Sequence, residues 1–242
     1  MGLIYAMSDI HGHYEAFIEA LSKIDLSNKN NKLILLGDYI NNGDKSLEVI
    51  EKVMALENEY PEQVITLLGN HDEMLINWLL LNDFCHIDEK SLQSFFDSND
   101  LATLDETDLI RVFMKKHPKI TNWLKRNRTK KRYYETEDQI FVHAGINEDN
   151  DDSDPGSWKY ETSDYEWTGK YPPTIGSFYK DVIAGHVYAH QVADNLEYSR
   201  KIYHDGESHY YIDGDVQSSG IIPILVFDTD TKTYHYIEKE NE

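Results

Sequence analysis

Five short motifs of carboxylate, amide and imidazole side chains punctuate this 242-residue sequence. Taken alone, each motif fits a capped loop with a hydrogen-bonded histidine better than it fits a functional site. As a set they contain the residue types that bind Mn, Fe, Zn, Co or Ni, whereas calcium prefers ligands that are all oxygen. The motifs, in chain order, are Asp9-Ile10-His11-Gly12, Gly37-Asp38, Gly69-Asn70-His71-Asp72, His143-Ala144-Gly145 and Gly185-His186.

A shared carboxylate would allow such a set to bind two cations. One carboxylate can bridge two metal ions that lie about 3.5–4 Å apart. Two cations at that spacing lower the pKa of a bridging water towards neutrality, which provides hydroxide at physiological pH. The residue types therefore predict metal-assisted hydrolysis, provided that the motifs meet in space.

The segments that precede the motifs have the patterns of alternating strands and helices. Predicted strands over residues 3–8, 32–36 and 64–68 end directly before the first three motifs. The order β-α-β-α-β-α indicates a mainly parallel sheet covered by helices. Because the carboxyl ends of parallel strands open onto a shared crevice, we expect the motifs to converge there. The flanking glycines allow the backbone to turn tightly and to approach a ligand.

The rest of the chain is interpreted as part of one domain that spans residues 1–242. Residues 82–127 have mainly helical patterning and are predicted to form a helical insertion. The shorter apolar runs that follow have more antiparallel character, and we interpret them as a second sheet. These predicted strands cover residues 133–134, 140–144, 182–184, 201–203, 210–213, 221–227 and 233–237, with a hairpin turn at 228–231.

The ordered motifs resemble the signature of the calcineurin-like metallophosphoesterases. The similarity is greatest to the bacterial Ser/Thr protein phosphatase-like branch, and the symmetrical diadenosine tetraphosphate hydrolases share the pattern. Tyr211-Ile212-Asp213-Gly214 is similar to a motif on the terminal strand of that branch, so the resemblance extends over residues 9–214. It implies an α/β fold that leans towards α+β, namely a two-sheet sandwich flanked by helices.

The resemblance also implies a role for each motif residue. Asp38 would bridge a binuclear centre of two divalent ions, with manganese as the first expectation and iron or zinc as alternatives. A hydroxide that bridges the metals would attack phosphorus in line, and His71 would be the general acid that protonates the leaving oxygen. The implied ligands are Asp9, His11 and Asp38 for one ion, and Asp38, Asn70, His143 and His186 for the other.

The sequence departs from the pattern of the branch where phosphate is expected to bind. Asn41 and Asn42 stand where the branch has Asp-Arg. We expect Asn41 to accept a hydrogen bond from His71 without stabilising an imidazolium as a carboxylate would. Asn42 cannot clamp a phosphate as arginine does. Lys170 or a residue of the basic run at 125–132 is the alternative clamp.

Three functions fit these features. The first is hydrolysis of a phosphate monoester, with a phosphorylated Ser/Thr protein or a small molecule as the substrate. The second is a phosphodiesterase or a dinucleoside polyphosphate hydrolase, since a diester depends less on an arginine that grips a terminal phosphate. The third is a catalytically weak module that binds metal and a phosphorylated ligand.

Composition limits the partners of the protein. With 44 acidic and 23 basic residues, the net charge of −21 disfavours binding to a nucleic-acid polymer. The basic run at 125–132 is interpreted as a solvated helix end, with a dock for an acidic partner as the alternative. One cysteine, Cys85, excludes a disulfide within the chain and fits a reducing cytosol. The sequence shows neither a signal-peptide pattern nor an apolar run of membrane-spanning length, so we expect a cytoplasmic location without a membrane partner.

Overall fold

The computed structural model of the chain describes residues 2–83, 87–149 and 154–238. Cys85 and residues 150–153 lie outside these ranges. Within the described ranges, two mixed five-stranded sheets pack face to face and helices flank them. The fold class predicted from the sequence is confirmed.

The first sheet contains the parallel strands that precede the first three motifs. Its order is β10-β9-β1-β2-β3, in which β1 pairs parallel with β2 and β2 pairs parallel with β3. The other two strands are antiparallel to their neighbours. The bounds are β1 (Leu3–Met7), β2 (Lys32–Leu35), β3 (Val64–Thr66), β9 (Ile224–Asp228) and β10 (Thr233–Ile237).

The second sheet carries the last two motifs on parallel strands. Its order is β4-β5-β6-β8-β7, in which β5, β6 and β8 are parallel and the two edge strands are antiparallel. The bounds are β4 (Tyr133–Glu135), β5 (Gln139–Val142), β6 (Asp181–Tyr188), β7 (Tyr203–His204) and β8 (His209–Asp213).

The prediction that β9 and β10 belong to the second sheet is wrong. Both strands belong to the first sheet, where β9 pairs with β1. The reason is that β9 is buried on both faces: Ile224 and Val226 point to the helix side, while Leu225 and Phe227 point to the other sheet. A strand that is covered on both faces needs a position inside the sandwich, and the place beside β1 provides it. The predicted hairpin between β9 and β10 is confirmed.

Alternation along β1 and β2 divides the core into two layers. Tyr5, Met7 and Leu33 face the helices, while Ile4 and Ile34 face the second sheet. This period of two is what a strand between two apolar layers requires. The packed layers fix the direction of each strand, and therefore the position of each strand's carboxyl end.

Helices cover the outer side of the first sheet and connect the strands. The described part of the segment predicted as a helical insertion contains four helices, and Asp88, Asp97 and Asp105 cap the first three by accepting from backbone N–H groups. No helix in the described ranges is long and apolar enough to cross a membrane. The α-helices are α1 (Tyr14–Leu21), α2 (Ser46–Glu59), α3 (Asn70–Leu81), α4 (Glu89–Phe95), α5 (Ser98–Thr103), α6 (Glu106–Lys116), α7 (Pro118–Asn127), α8 (Trp158–Glu161), α9 (Asp164–Gly169), α10 (Ala189–Val192) and α11 (Val216–Ser219).

Candidate metal centre

The five motifs lie together: four follow the carboxyl ends of β1, β2, β3 and β5, whereas Gly185-His186 lies within β6, where the pairing with β8 shifts register. Four of the predicted ligands have left-handed backbone conformations, with φ of 56° at Asp9, 47° at His11, 58° at Asp38 and 63° at His186. For residues other than glycine, this conformation costs about 1–3 kcal/mol and is concentrated at functional sites. Tertiary contacts must therefore hold these four residues in place, and the contacts around Asp38 show how they do so.

The carboxylate of Asp38 is at the centre of the cluster. Its Oδ2 lies 3.4 Å from His143 Nε2, 3.7 Å from His11 Nε2 and 4.0 Å from His71 Nε2. Two groups of candidate ligands share this residue, one with His11 and His71 and the other with His143 and His186, and in each group the ligand atoms lie within 4.8 Å of one another. Asp38 is therefore the carboxylate that the two groups have in common.

Asn70 and Asp9 complete the ring of possible ligands. Asn70 Oδ1 lies 3.2 Å from His143 Nε2 and 3.0 Å from His186 Nδ1. Asp9 Oδ2 accepts from the backbone N–H of His186 at 3.0 Å, whereas Asp9 Oδ1 is buried without a hydrogen-bond partner. Nδ1 of His143 is likewise buried without a partner. A buried carboxylate oxygen without a donor, 3.7 Å from His11 Nε2, is suited to a cation, so the residues present fit a pair of divalent ions.

Two glycines permit the close approach of the motifs. A Cβ atom on Gly69 would collide with Asp38 Oδ1 and with the His143 ring. A Cβ atom on Gly185 would collide with Ser8 and with Asp9 Oδ2. Only glycine leaves enough space for these contacts at both positions.

The charges of the cluster are set by burial and by mutual contact. Burial opposes ionisation of Asp38, but His143, His11 and His71 hold its pKa well below the usual range. Burial disfavours protonated His143, yet the Asp38 carboxylate raises the pKa of His143 to about 9. Burial and then His143 lower the pKa of His186 to about 4. His186 is therefore neutral and can act as a ligand, whereas His143 must lose its proton beside Asp38 before it can bind a metal ion.

Asp213 lies near the centre, and the sequence analysis assigned it no role. It is fully buried at the end of β8, and burial together with the nearby charge of Asp9 raises its pKa well above the usual range. One of its oxygens accepts from the backbone N–H of Asp215 at 2.9 Å. The Tyr211-Ile212-Asp213-Gly214 motif pointed to the family in the sequence, but it did not predict that Asp213 lies near the centre.

The hydrogen bond between Asn41 and His71 runs in the direction opposite to the predicted one. Nδ2 of Asn41 lies 2.7 Å from Nδ1 of His71, and Oδ1 of Asn41 accepts from the backbone N–H of Asp88 at 3.2 Å. Asn41 therefore donates to His71 instead of accepting from it. An amide nitrogen carries no lone pair for a hydrogen bond, which is why the expected direction fails.

Asn42 anchors the same turn through its backbone. Its N–H donates to Asp88 Oδ2 at 2.5 Å and its carbonyl accepts from Lys90 Nζ at 2.8 Å. Both asparagines have left-handed φ, 69° at Asn41 and 71° at Asn42, and asparagine tolerates this conformation better than most residues. Asp88, which also caps α4, is a residue that the sequence reasoning missed.

The two alternatives for a phosphate clamp make contacts within the protein. The stem of Lys170 lies against Gly145, and its ammonium donates to the carbonyl of Ile146. In the basic run, Arg126 and Lys130 each pair with Glu57 at 2.8 Å. Arg132 pairs with Glu73, on the first turn of α3. These four cations are therefore engaged in contacts within the protein.

A sandwich with carboxylate, amide and imidazole groups at its strand ends defines the class of metal-dependent phosphoesterases. A sequence model of the calcineurin-like phosphoesterase matches residues 2–194. The chain belongs to the calcineurin-like phosphoesterase family.

Similar proteins include hydrolases named for different substrates. The symmetrical bis(5'-nucleosyl)-tetraphosphatase of Buchnera aphidicola subsp. Acyrthosiphon pisum (strain Tuc7) is 32% identical over 142 residues, which are 59% of this chain and 44% of that protein. The serine/threonine-protein phosphatase PP2A-like PPG1 of Candida albicans (strain SC5314) is 36% identical over 73 residues, which are 30% of this chain and 17% of that protein. The chain thus spans less than half of the length of these relatives.

A solved structure has a similar fold at low identity. The cold-active protein-tyrosine phosphatase of a psychrophilic Shewanella species matches with a TM-score of 0.59 and 14% identity, over 97% of this chain and 80% of that chain. At this identity the likeness shows the fold alone, and it agrees with the two-sheet sandwich described above.

Proposed function

We propose that this protein is a metal-dependent phosphoesterase that hydrolyses a phosphate monoester. The observation that supports this most directly is the position of Asp38, whose Oδ2 lies 3.4 Å from His143 Nε2 and 3.7 Å from His11 Nε2. Asp9, His11, Asp38, Asn70, His143 and His186 would hold the ions. When bound, two divalent cations would neutralise phosphoryl charge and acidify water.

His71 is proposed to contact the leaving oxygen of the substrate. Its side chain is 26% exposed, whereas those of His11 and His143 are 9% and 0% exposed. Its backbone N–H donates to Asp38 Oδ1 at 2.9 Å, which fixes the first turn of α3 against the centre. His71 therefore combines access to substrate with a fixed position beside Asp38.

A dinucleoside tetraphosphate is the second candidate substrate. The Buchnera relative is named as a symmetrical bis(5'-nucleosyl)-tetraphosphatase, and its match extends over 59% of this chain. If the protein hydrolyses a phosphate monoester, a phosphorylated protein is a candidate substrate. The relative that supports this candidate is the Candida serine/threonine-protein phosphatase. Manganese is proposed as the metal, with iron or zinc as alternatives, from the mixture of oxygen and nitrogen ligands.

Hydrolysis of p-nitrophenyl phosphate with and without added Mn²⁺, and after chelation, tests the proposal. We expect turnover that depends on metal and is lost in His71→Ala, while the metal content of that variant is retained. The control His235→Ala removes an exposed histidine on β10 and should keep both turnover and metal.

Two other outcomes would change the assignment. Turnover of bis-p-nitrophenyl phosphate or of diadenosine tetraphosphate, without turnover of the monoester, would favour the second candidate. Absence of turnover with all of these substrates, in protein that binds two metal ions, would overturn the enzymatic proposal and favour a module that binds a phosphorylated ligand.

A further inference from the structure

The turn at residues 41–43 touches two residues of the candidate metal centre. The backbone N–H of Gly43 donates to the carbonyl of His11 at 2.8 Å, and Nδ2 of Asn41 lies 2.7 Å from Nδ1 of His71. Because these contacts come from both ends of a three-residue segment, the whole turn lies against the centre. A charged group that is bound to this turn is therefore at the rim of the proposed phosphoesterase site.

The start of α4 is fastened to the same turn. Asp88 Oδ2 accepts from the backbone N–H of Asn42 at 2.5 Å, and Ser91 Oγ accepts from the backbone N–H of Asn41 at 3.0 Å. Ser91 is fully buried, and its hydroxyl also lies 2.7 Å from that of Ser46, at the start of α2. These contacts fix the first turn of α4 relative to the metal centre.

Lys90 is an exposed cation on this first turn, and its charge is not neutralised by an ion pair. Its ammonium donates to the carbonyl of Asn42 at 2.8 Å, which leaves its other N–H groups for further acceptors. Within residues 2–83, 87–149 and 154–238, no carboxylate lies within 4.0 Å of the ammonium. Asp88, two residues away, uses one oxygen on the N–H of Asn42 and the other on the N–H of Ser91. Lys90 is therefore free to bind an anion beside the centre.

We propose that the Lys90 ammonium binds a non-bridging oxygen of the substrate's phosphoryl group and so favours a phosphate monoester over a diester. The inference rests on the proposed phosphoesterase function and deepens it by assigning a residue that determines specificity. The cations that the sequence suggested for this role are engaged elsewhere in the protein, and Asn42 has no charge of its own. Lys90, from the helical insertion, brings a positive charge to the carbonyl of Asn42.

The charge of the phosphoryl group is what Lys90 can distinguish. A phosphate monoester has its second pKa at about 6, so at neutral pH it is mainly a dianion, whereas a diester carries a single negative charge. The Coulomb attraction to one ammonium is proportional to the charge of its partner. Hydrogen bonds in which both groups are ionised are also shorter and stronger than neutral ones. Removal of the Lys90 charge should therefore weaken binding of a dianion more than binding of a monoanion.

Calorimetric titration of the Mn²⁺-loaded protein with inorganic phosphate tests the inference without turnover. Lys90→Gln keeps an N–H donor for the carbonyl of Asn42 but removes the charge, and we expect the Kd for phosphate to rise by about 10-fold or more. Lys90→Arg keeps the charge and should stay within about 3-fold of the wild type. Lys32→Gln is the matched control, because the Lys32 ammonium also donates to a backbone carbonyl, that of Glu62 at 3.1 Å, but at the start of β2. The control should bind phosphate as the wild type does, and all variants should retain their metal.

The outcomes of this titration separate the inference from the proposed function. Equal phosphate affinity of Lys90→Gln and the wild type would overturn the inference, whether or not the protein is a hydrolase. Absence of phosphate binding by the metal-loaded wild type would overturn it as well. If phosphate binding depends on Lys90 but no ester is hydrolysed, the enzymatic proposal fails while Lys90 is supported as a binding residue for a phosphoryl group.

Steady-state kinetics on two esters test the specificity that Lys90 confers. For p-nitrophenyl phosphate, we expect Lys90→Gln to raise KM by about 10-fold while kcat stays within about 3-fold, as loss of an interaction common to substrate and transition state predicts. For bis-p-nitrophenyl phosphate, kcat/KM should change by less than about 3-fold, because that substrate has a single negative charge. An equal loss on both esters, or a loss in Lys90→Arg as large as that in Lys90→Gln, would mean that Lys90 only holds the turn, and the inference would be wrong.

Discussion

The carboxylate of Asp72 accepts a hydrogen bond from the backbone N–H of Asp38 at 2.7 Å. It also accepts from the N–H groups of Tyr39 and Gly69, each at 2.9 Å. One buried side chain on α3 therefore satisfies three backbone donors in the two loops that follow β2 and β3. The positive φ of Asp38 is maintained by these contacts, because the N–H groups around it point at a fixed acceptor.

We expect Asp72→Ala to destabilise the protein by about 3–5 kcal/mol. The substitution leaves three buried N–H groups without an acceptor, each at a cost of about 1–3 kcal/mol, although the loops can relax in part. Urea unfolding of the metal-free protein measures the change. Asp44→Ala, at an exposed position, is the matched control. If Asp72→Ala lowers the free energy of unfolding by no more than the control does, the role assigned to Asp72 is contradicted.

The strand ends were predictable because their pattern is local. The strands β1, β2 and β3 and the five motifs were recognised from apolar runs that end in polar, glycine-flanked residues. The apolar pattern of helix α3 begins only at Met74, but the helix itself begins at Asn70, because its first turn consists of polar motif residues that show no apolar periodicity. A helix start that is formed by functional side chains gives a weak hydrophobic signal.

Features that depend on distant contacts were not predictable. The pairing of Leu3 with Asp228 joins opposite ends of the chain, and a strand that is apolar on both faces fits either sheet. The orientation of the Asn41 amide depends on Asp88, which is 47 residues away. All six predicted ligands and His71 meet in the structure, whereas Asp88, which contacts Asn41, lies outside the motifs.

Asp38→Asn should abolish tight binding of the metal pair. The substitution keeps the shape of the side chain but removes the charge and one of the two oxygens that a bridge requires. Elemental analysis of purified protein after dialysis against Mn²⁺ gives the metal content. The control Asp44→Asn removes one exposed carboxylate and should retain the metal. Unchanged metal content in Asp38→Asn would refute the bridging role.

Glu57 should stabilise the helical segment without affecting the metal centre. Its carboxylate accepts from Trp123 Nε1 at 2.6 Å and pairs with Arg126 and Lys130, each at 2.8 Å, so it ties α7 and the basic run to α2. Burial opposes ionisation, but Lys130, Thr66 and Trp123 hold the pKa of Glu57 below its usual value.

We therefore expect Glu57→Gln to lower the free energy of unfolding by about 2 kcal/mol, as hydrogen bonds to charged groups typically contribute. Metal content should be unchanged. Glu51→Gln removes an exposed carboxylate from the same helix and should change stability by less than about 0.5 kcal/mol. Equal stability of the two variants would show that the basic run does not depend on Glu57.

His209 links three loops through both of its ring nitrogens. Nδ1 lies 2.9 Å from the carbonyl of Gly176 and 3.1 Å from Asp205 Oδ2, and Nε2 lies 3.0 Å from Glu148 Oε2. Both nitrogens face acceptors, so the protonated ring satisfies every contact. Burial disfavours that form, but Glu148 and Asp205 outweigh it and raise the pKa of His209 above 6.5.

The contribution of His209 to stability should decrease as pH rises. Because the pKa is higher in the folded state, the stabilisation is fully present below pH 6.5 and is lost as the pH rises through the folded-state pKa. We expect His209→Gln to cost about 2 kcal/mol at pH 6 and clearly less at pH 9, measured by urea unfolding. His235→Gln, on the exposed face of β10, should show no such difference. A cost for His209→Gln that is equal at both pH values, or larger at pH 9, would mean that the ring is neutral in the folded protein.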